Sequence, residues 1–284
     1  MAVFRAAAIQ MRSDLSVEAN TDAAERGIRA AAAAGAEYAL TPEMTTLLTL
    51  DRERLLASIS TETTDPSLAR FRTLAAELGI HVHIGSMPIK LGEQSVANRS
   101  YVIAPDGAIL ARYDKIHMFD VDLPGGESYR ESRLYRSGDR AVVVDLPWLR
   151  LGLSICYDLR FPTLYRTLAA AGAQALAIPA AFTRTTGEAH WHVLVRARAI
   201  ETGSFVIAAA QGGHHEDDRH TFGHSMIVDP WGTVLAEGDS DPGFIVADID
   251  PSASDAARQR IPAVTTDQEF TDPETSPAVR FEPA

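Results

Sequence analysis

The stretch SYVIAPDGAILA at residues 100–111 returns as SMIVDPWGTVLA at residues 225–236. Without gaps, Ser100, Pro105, Gly107, Leu110 and Ala111 fall on Ser225, Pro230, Gly232, Leu235 and Ala236. GAEYALTP at 35–42 likewise sits over GAQALAIP at 172–179. Two apolar runs around a Pro-x-Gly turn make a hairpin, so each copy predicts one. The repeat distance is far too long for a solenoid. It predicts one domain of two similar halves, each a sheet with helices on one face. Two such layers bury their inner faces against each other. The expected fold is α/β, a four-layer α-β-β-α sandwich.

Local signals follow the same plan in both halves. VFRAAAIQ, EYAL and IHVHIGS read as strands in the first half, and LRLGLSIC, QALAI and SFVIAAA in the second. Ser16 caps an Ala-rich helix that stops at Gly35. Asp65 caps a second helix, with Pro66 at its first position and Gly79 at its end. FPTLYRTLAAAGA and EAHWHVLVRARAIETG supply the matching helices of the second half. From Pro251 the chain turns Pro-rich and polar with little periodicity, which reads as a tail. The expected division is a domain over residues 1–262 and a segment over 263–284, loose or laid along a partner subunit.

Composition excludes several function classes. The 26 basic and 38 acidic residues give a net charge of −12, with no Lys/Arg cluster to form a nucleic-acid footprint. The single cysteine among 284 residues forms no internal disulfide and fits a reducing cytoplasm. Neither a signal peptide nor an apolar run long enough to span a membrane is evident. No metal and no cofactor is expected.

That cysteine, Cys156, closes an apolar strand shortly before a helix, where reactive groups gather in α/β sheets. Glu43 follows the strand YAL through Thr41 and Pro42, and Lys115 follows the first hairpin. Taken singly, these are an inert buried thiol, a turn carboxylate and a surface charge. Taken together, they are a nucleophile, a base and a cation at three element ends.

In order along the chain, RAAAIQ, TPEM, YDKIHMFDVDLPGG, RES, SICYDLRFP, the run from TGEAHWH to AAAQ, and GHSMIVDPWGTVLAE resemble the nitrilase superfamily of carbon–nitrogen hydrolases over about residues 3–262. The resemblance implies the α-β-β-α fold, with catalytic Glu, Lys and Cys at Glu43, Lys115 and Cys156. It adds an assisting glutamate at Glu131, with Glu127 a poorer match in context. An ammonium about 4 Å from a thiolate at an effective dielectric near 20 stabilises it by about 4 kcal/mol before desolvation. Lys115 is therefore expected to hold Cys156 ionised. Glu43 moves the protons, and Lys115 with the Tyr157 backbone N–H holds the oxyanion of a thioester-forming reaction.

Within the superfamily the chain is similar to the nitrilase-like branch, which implies a small-molecule linear amide carrying a carboxylate, and water. Amides of the deaminated-glutathione type come first, with 2-oxoglutaramate and N-carbamoyl amino acids as alternatives. Arg160, Arg184 and Arg130 are carboxylate-binding candidates by position, and Phe182 and Thr186 are pocket-wall candidates. His192 stands where relatives carry Glu, which puts one side of the pocket in question. The resemblance also implies a homodimer or higher homo-oligomer.

Three rival readings remain at this level. A Cys–His enzyme would use His117 or His190. A metal site would use His214, His215, His220 and His224 beside Glu216, Asp217 and Asp218, a stretch that otherwise reads as a solvated loop. A binding scaffold would keep the fold without the chemistry.

Overall fold

The computed structural model describes residues 2–123, 126, 128–266, 268 and 271. Glu127 and most of the expected tail over 263–284 lie outside the described residues. The first half runs β1 (Phe4–Gln10), α1 (Val17–Ala33), β2 (Tyr38–Leu40), α2 (Arg52–Ser58), α3 (Pro66–Leu78), β3 (His81–Lys90), β4 (Val96–Ile103) and β5 (Ile109–Asp114). A ribbon of β6 (Asp120–Asp122) and β7 (Ser128–Arg130) leads to the second half. That half runs β8 (Val143–Asp145), β9 (Arg150–Leu153), α4 (Pro162–Ala170), β10 (Ala175–Ala180), α5 (Arg184–Thr202) and β11 (Phe205–Ala210). It continues through β12 (Gly212–His214), β13 (His220–Phe222), β14 (Met226–Val228), β15 (Val234–Glu237), β16 (Gly243–Ile249) and α6 (Ser252–Arg260).

Two six-stranded sheets form, in the orders β16-β1-β2-β3-β4-β5 and β15-β14-β11-β10-β9-β8. In each, three parallel strands continue into an antiparallel hairpin. The repeat is visible in atomic detail. The hairpin register slips between Val102 and Ile103 in one half and between Ile227 and Val228, the aligned residues, in the other. Gly107 and Gly232 sit at φ +81° and +84°, the left-handed conformation that each turn requires.

Strand alternation builds the layers. On β1, Phe4, Ala6 and Ala8 face the second sheet and join the core with Leu151, Leu153 and Val206. Ala7 and Ile9 face outward and pack with Ile28, Phe71 and Leu74 of α1 and α3. On the second sheet's outer face, Leu168, Trp191 and Val195 of α4 and α5 pack onto the main core. The result is the four-layer α-β-β-α order.

The helix caps fall where expected: Ser16 accepts from Ala19 N, Asp65 accepts from Leu68 N, and Gly79 closes α3 at φ +66°. Three features differ from the sequence reading. The first sheet takes an outermost strand from the other half, β16 pairing antiparallel with β1, whereas β8 pairs antiparallel with its chain neighbour β9. The crossing of β16 stitches the halves together. Residues 252–260, read as tail, form α6, because Ser254 Oγ donates to Gly203 O at 2.6 Å and Arg258 Nε to Thr202 O at 3.0 Å. Tertiary hydrogen bonds supply what weak periodicity lacks. The short α2, which had no apolar period to signal it, is capped by Asp51. Among the described residues no helix is long and apolar enough to cross a membrane.

Candidate active site

β9 ends at Leu153, three residues earlier than the apolar run suggests, and Cys156 opens a 3-10 turn over Cys156–Arg160 at φ +49°. A non-glycine residue in the left-handed region costs about 1–2 kcal/mol and needs fixed surroundings. Asp158 supplies them. Its Oδ2 accepts from Ile155 N at 2.9 Å and from the Tyr113 hydroxyl at 2.6 Å. Its Oδ1 accepts from His117 N at 3.0 Å and lies 2.6 Å from His117 Nδ1. One buried carboxylate therefore ties the cysteine turn to the residues on both sides of Lys115.

Glu43 leaves the end of β2, and Met44 beside it also has positive φ, at 56°. Met44 N donates to Ser86 Oγ at 3.0 Å, and Gln211 Nε2 at the end of β11 donates to Glu43 O at 2.9 Å. Lys115 follows β5, its backbone N donating to Asn98 O at 3.0 Å. Glu131 opens a short 3-10 turn and accepts from Phe119 N at 2.7 Å.

The four expected side chains converge. Lys115 Nζ donates to Glu43 Oε1 at 2.8 Å, to Glu131 Oε2 at 2.8 Å and to Glu131 Oε1 at 3.0 Å. Asn98 Nδ2 donates to Glu43 Oε1 at 3.0 Å and to Glu131 Oε1 at 3.3 Å. Cys156 shares their cavity, close enough for the charges of Glu43 and Lys115 to act on its thiol.

The electrostatics run against one expectation, that Lys115 holds Cys156 ionised. Two carboxylates stand against one ammonium, so Lys115 is neutralised before it reaches the sulfur. Burial, then the charge of Glu43, push the Cys156 thiol well above its ordinary value, and the opposing pull of Lys115 is smaller. Burial and Glu43 thus favour the thiol form of Cys156 over the thiolate. Burial pushes Lys115 down, but Glu131 and Glu43 outweigh it and the ammonium is held charged. Burial and the nearby Glu43 push Glu131 up against the pull of Lys115.

The cluster opens on a cavity of about 510 Å³, also lined by Tyr157, Phe182, Thr186 and Arg160. The Arg160 guanidinium carbon lies 5.2 Å from the Phe182 ring centroid and 5.9 Å from that of Tyr157. Arg130 lines the cavity but is held by both oxygens of Asp122, at 2.8 and 2.9 Å. Arg184 lines a neighbouring cavity instead and pairs with Glu188 at 2.8 Å.

Several sequence readings move. Neither His117 nor His190 lines the catalytic cavity: His117 is held by Asp158 and stacks on Phe161 at 3.5 Å. His192 lies off the cavity and reaches Glu237 at 2.7 Å, so it does not shape the pocket. The stretch around His214–His224 is a solvated loop only at its turn, where His214, Glu216, Asp218 and His220 are exposed. It forms the β12–β13 ribbon, with His215 buried between Ser13 O and Thr221 Oγ1, both at 2.7 Å. From this ribbon Arg219 enters the cavity wall, a residue no sequence signal marked. Asn98 and Asp158 were missed as well, being ordinary polar residues until folding brings them to the cluster.

The model of the carbon–nitrogen hydrolase family matches residues 5–259. The chain belongs to the carbon–nitrogen hydrolase family. This hydrolase is 41% identical over 268 residues to a deaminated glutathione amidase from Synechocystis sp., covering 93% of its own length and 98% of the relative's. The crystal structure of the Caenorhabditis elegans NitFhit protein, a nitrilase and fragile histidine triad fusion, superposes with a TM-score of 0.88 at 37% identity. That match covers 94% of the hydrolase and 65% of the fusion protein. An amidase from Nesterenkonia sp. AN1 superposes with a TM-score of 0.77 at 26% identity, covering 91% and 96% of the two chains. It was solved as a glutamate-to-glutamine mutant showing Michael addition of acrylamide at its active-site cysteine. The hydrolase is thus an amidohydrolase of the nitrilase superfamily, acting on carbon–nitrogen bonds in amides.

Proposed function

We propose that the protein cleaves a linear amide carrying carboxylates, of the deaminated-glutathione type, through a thioester on Cys156. The observation that carries this is the meeting of Cys156, Glu43, Lys115 and Glu131 in one cavity, with Glu43 Oε1 2.8 Å from Lys115 Nζ. Glu43 takes the thiol proton as the sulfur attacks the amide carbon. Lys115 and the Tyr157 backbone N–H hold the oxyanion. Glu43 then protonates the leaving amine as the carbon–nitrogen bond breaks and the thioester forms. Water, deprotonated by Glu43, attacks the thioester and releases the carboxylate product and the free thiol. Glu131 positions Lys115. Arg160 closes the nucleophile's own turn and lines the cavity, placed to receive the carboxylate on the acyl side of the scissile amide, with Phe182 and Thr186 as the adjoining wall.

Deaminated glutathione is preferred as substrate because the amidase from Synechocystis, at 41% identity, carries that activity in its name. Residues 1–262 form the catalytic unit. A thiol nucleophile suits a reducing cytoplasm. The exposed Val193 and Ile200 on one face of α5, with Trp231 beside them, support a homodimer contact that light scattering tests.

The test is product release. Wild-type protein is expected to free cysteinylglycine from deaminated glutathione, and Cys156→Ala none. Unchanged turnover in Cys156→Ala, or no turnover of any carboxylated amide by the wild type, sinks the reading.

A further inference from the structure

We infer that Arg219 forms a second carboxylate-binding subsite, which holds the end of a linear amide remote from the scissile bond. The inference rests on the amidohydrolase reading above and names the substrate end that the site recognises.

Arg219 comes from the β12–β13 ribbon, which is fastened over the cavity wall. Phe222 N donates to Phe182 O at 3.0 Å, and Thr221 bridges to Thr183 in antiparallel fashion. The side chain is 13% exposed. It lines the 510 Å³ catalytic cavity and the neighbouring 360 Å³ cavity, whereas Cys156, Lys115, Glu43 and Arg160 line only the first. Arg219 therefore stands at the border of the two, away from the reacting atoms.

Its guanidinium is only partly used. Nη2 contacts Asp217 Oδ2 at 3.1 Å, while the buried Nε has no hydrogen-bond partner among the described residues. Buried donors are rarely left without an acceptor, and a planar guanidinium matches a carboxylate in two parallel hydrogen bonds. In a protein of net charge −12, an anionic substrate end needs such a local cation. Arg130 and Arg184 are already taken by Asp122 and Glu188. Arg52 and Arg133 also line the catalytic cavity, but neither borders the second one; Arg160 and Arg219 offer two separate cationic poles. Deaminated glutathione has a carboxylate at each end, whereas 2-oxoglutaramate has one, so the arrangement favours the longer amide.

Wild type, Arg219→Gln and Arg219→Lys are compared on deaminated glutathione and on its C-terminal glycinamide. The wild type is expected to prefer the free acid. Arg219→Gln is expected to raise KM for the free acid about 10- to 100-fold, the weight of one or two charged hydrogen bonds, with kcat little changed. The glycinamide's KM stays as in the wild type, and Arg219→Lys recovers part of the loss. An unchanged KM for the free acid, or an equal rise for both ligands, overturns the subsite. Calorimetry of deaminated glutathione on Cys156→Ala, with and without Arg219→Gln, reads the same contact without turnover. Equal affinity there overturns it too. Arg219-dependent binding without turnover by the wild type would instead defeat the amidase reading and leave the subsite standing.

Discussion

The Lys115 ammonium donates to Glu43 Oε1 across 2.8 Å, and both side chains are buried, at 2% and 5% exposure. A charge pair so deeply desolvated does not stand alone, because removing one partner leaves the other uncompensated. Here Glu131 adds a second carboxylate to Lys115, while burial and Glu43 push the cysteine towards its protonated form. That direction favours proton transfer to Glu43 as part of the reaction.

Glu43→Gln separates the two consequences of that arrangement. Turnover is expected to fall by about 10²- to 10⁴-fold, the contribution of a general base. The alkylation of Cys156 by iodoacetamide is expected to shift to lower pH, because the carboxylate that holds the thiol's pKa up is gone. Following alkylation rate against pH beside turnover checks both. Turnover surviving the substitution would point to a Cys–His scheme.

Asp158→Asn probes the link between the two catalytic loops. The carboxylate serves Ile155 N, Tyr113, His117 N and His117 Nδ1 at once. Losing its charge-assisted bonds is expected to cost about 2 kcal/mol. That lowers Tm by about 4–8 °C in a domain of this size, which calorimetry reads. Turnover is expected to fall with it, since the positive-φ turn at Cys156 loses its brace.

Gly85→Ala tests how closely the sheets approach behind the site. A Cβ at this position would lie 2.0 Å from Thr41 O, 2.4 Å from Pro179 Cβ and 2.7 Å from Pro42 O. Two of these atoms are backbone leading into Glu43, so strain cannot be absorbed by a side chain. A loss of about 3 kcal/mol is expected, with reduced turnover from displaced Glu43. Chemical denaturation and initial rates measure the two effects.

His83 sets an acid limit on stability. It is buried between the Tyr38 hydroxyl at 2.6 Å and Ser100 Oγ at 2.7 Å, and burial pushes its pKa down to about 3. The folded value lies below the unfolded one near 6.5, so the contribution is complete above that pH. As pH falls from there towards 3, the unfolded chain gains a proton that the folded one refuses. Stability is expected to drop by about 1.4 kcal/mol per pH unit in that window. Denaturation midpoints between pH 4 and 7 check this, with His83→Gln expected to flatten the slope.

The sequence by itself determined what depends on neighbours along the chain. Hairpin turns at Gly107 and Gly232, caps at Ser16 and Asp65, and strand alternation on β1 are local devices with local causes, and the repeat carried them to a layered fold. The residue types for thiol chemistry were legible too, as side chains at element ends. Only the tertiary structure decided how they meet. Glu43 and Lys115 are 72 residues apart, and Asn98, Asp158 and Arg219 reach the site from elements whose patterns say nothing of it. The crossing β16 takes its partner from the opposite half. Whether the lone sulfur carries a proton depends on burial and on the balance of charges brought to it, and both exist only once the chain has folded.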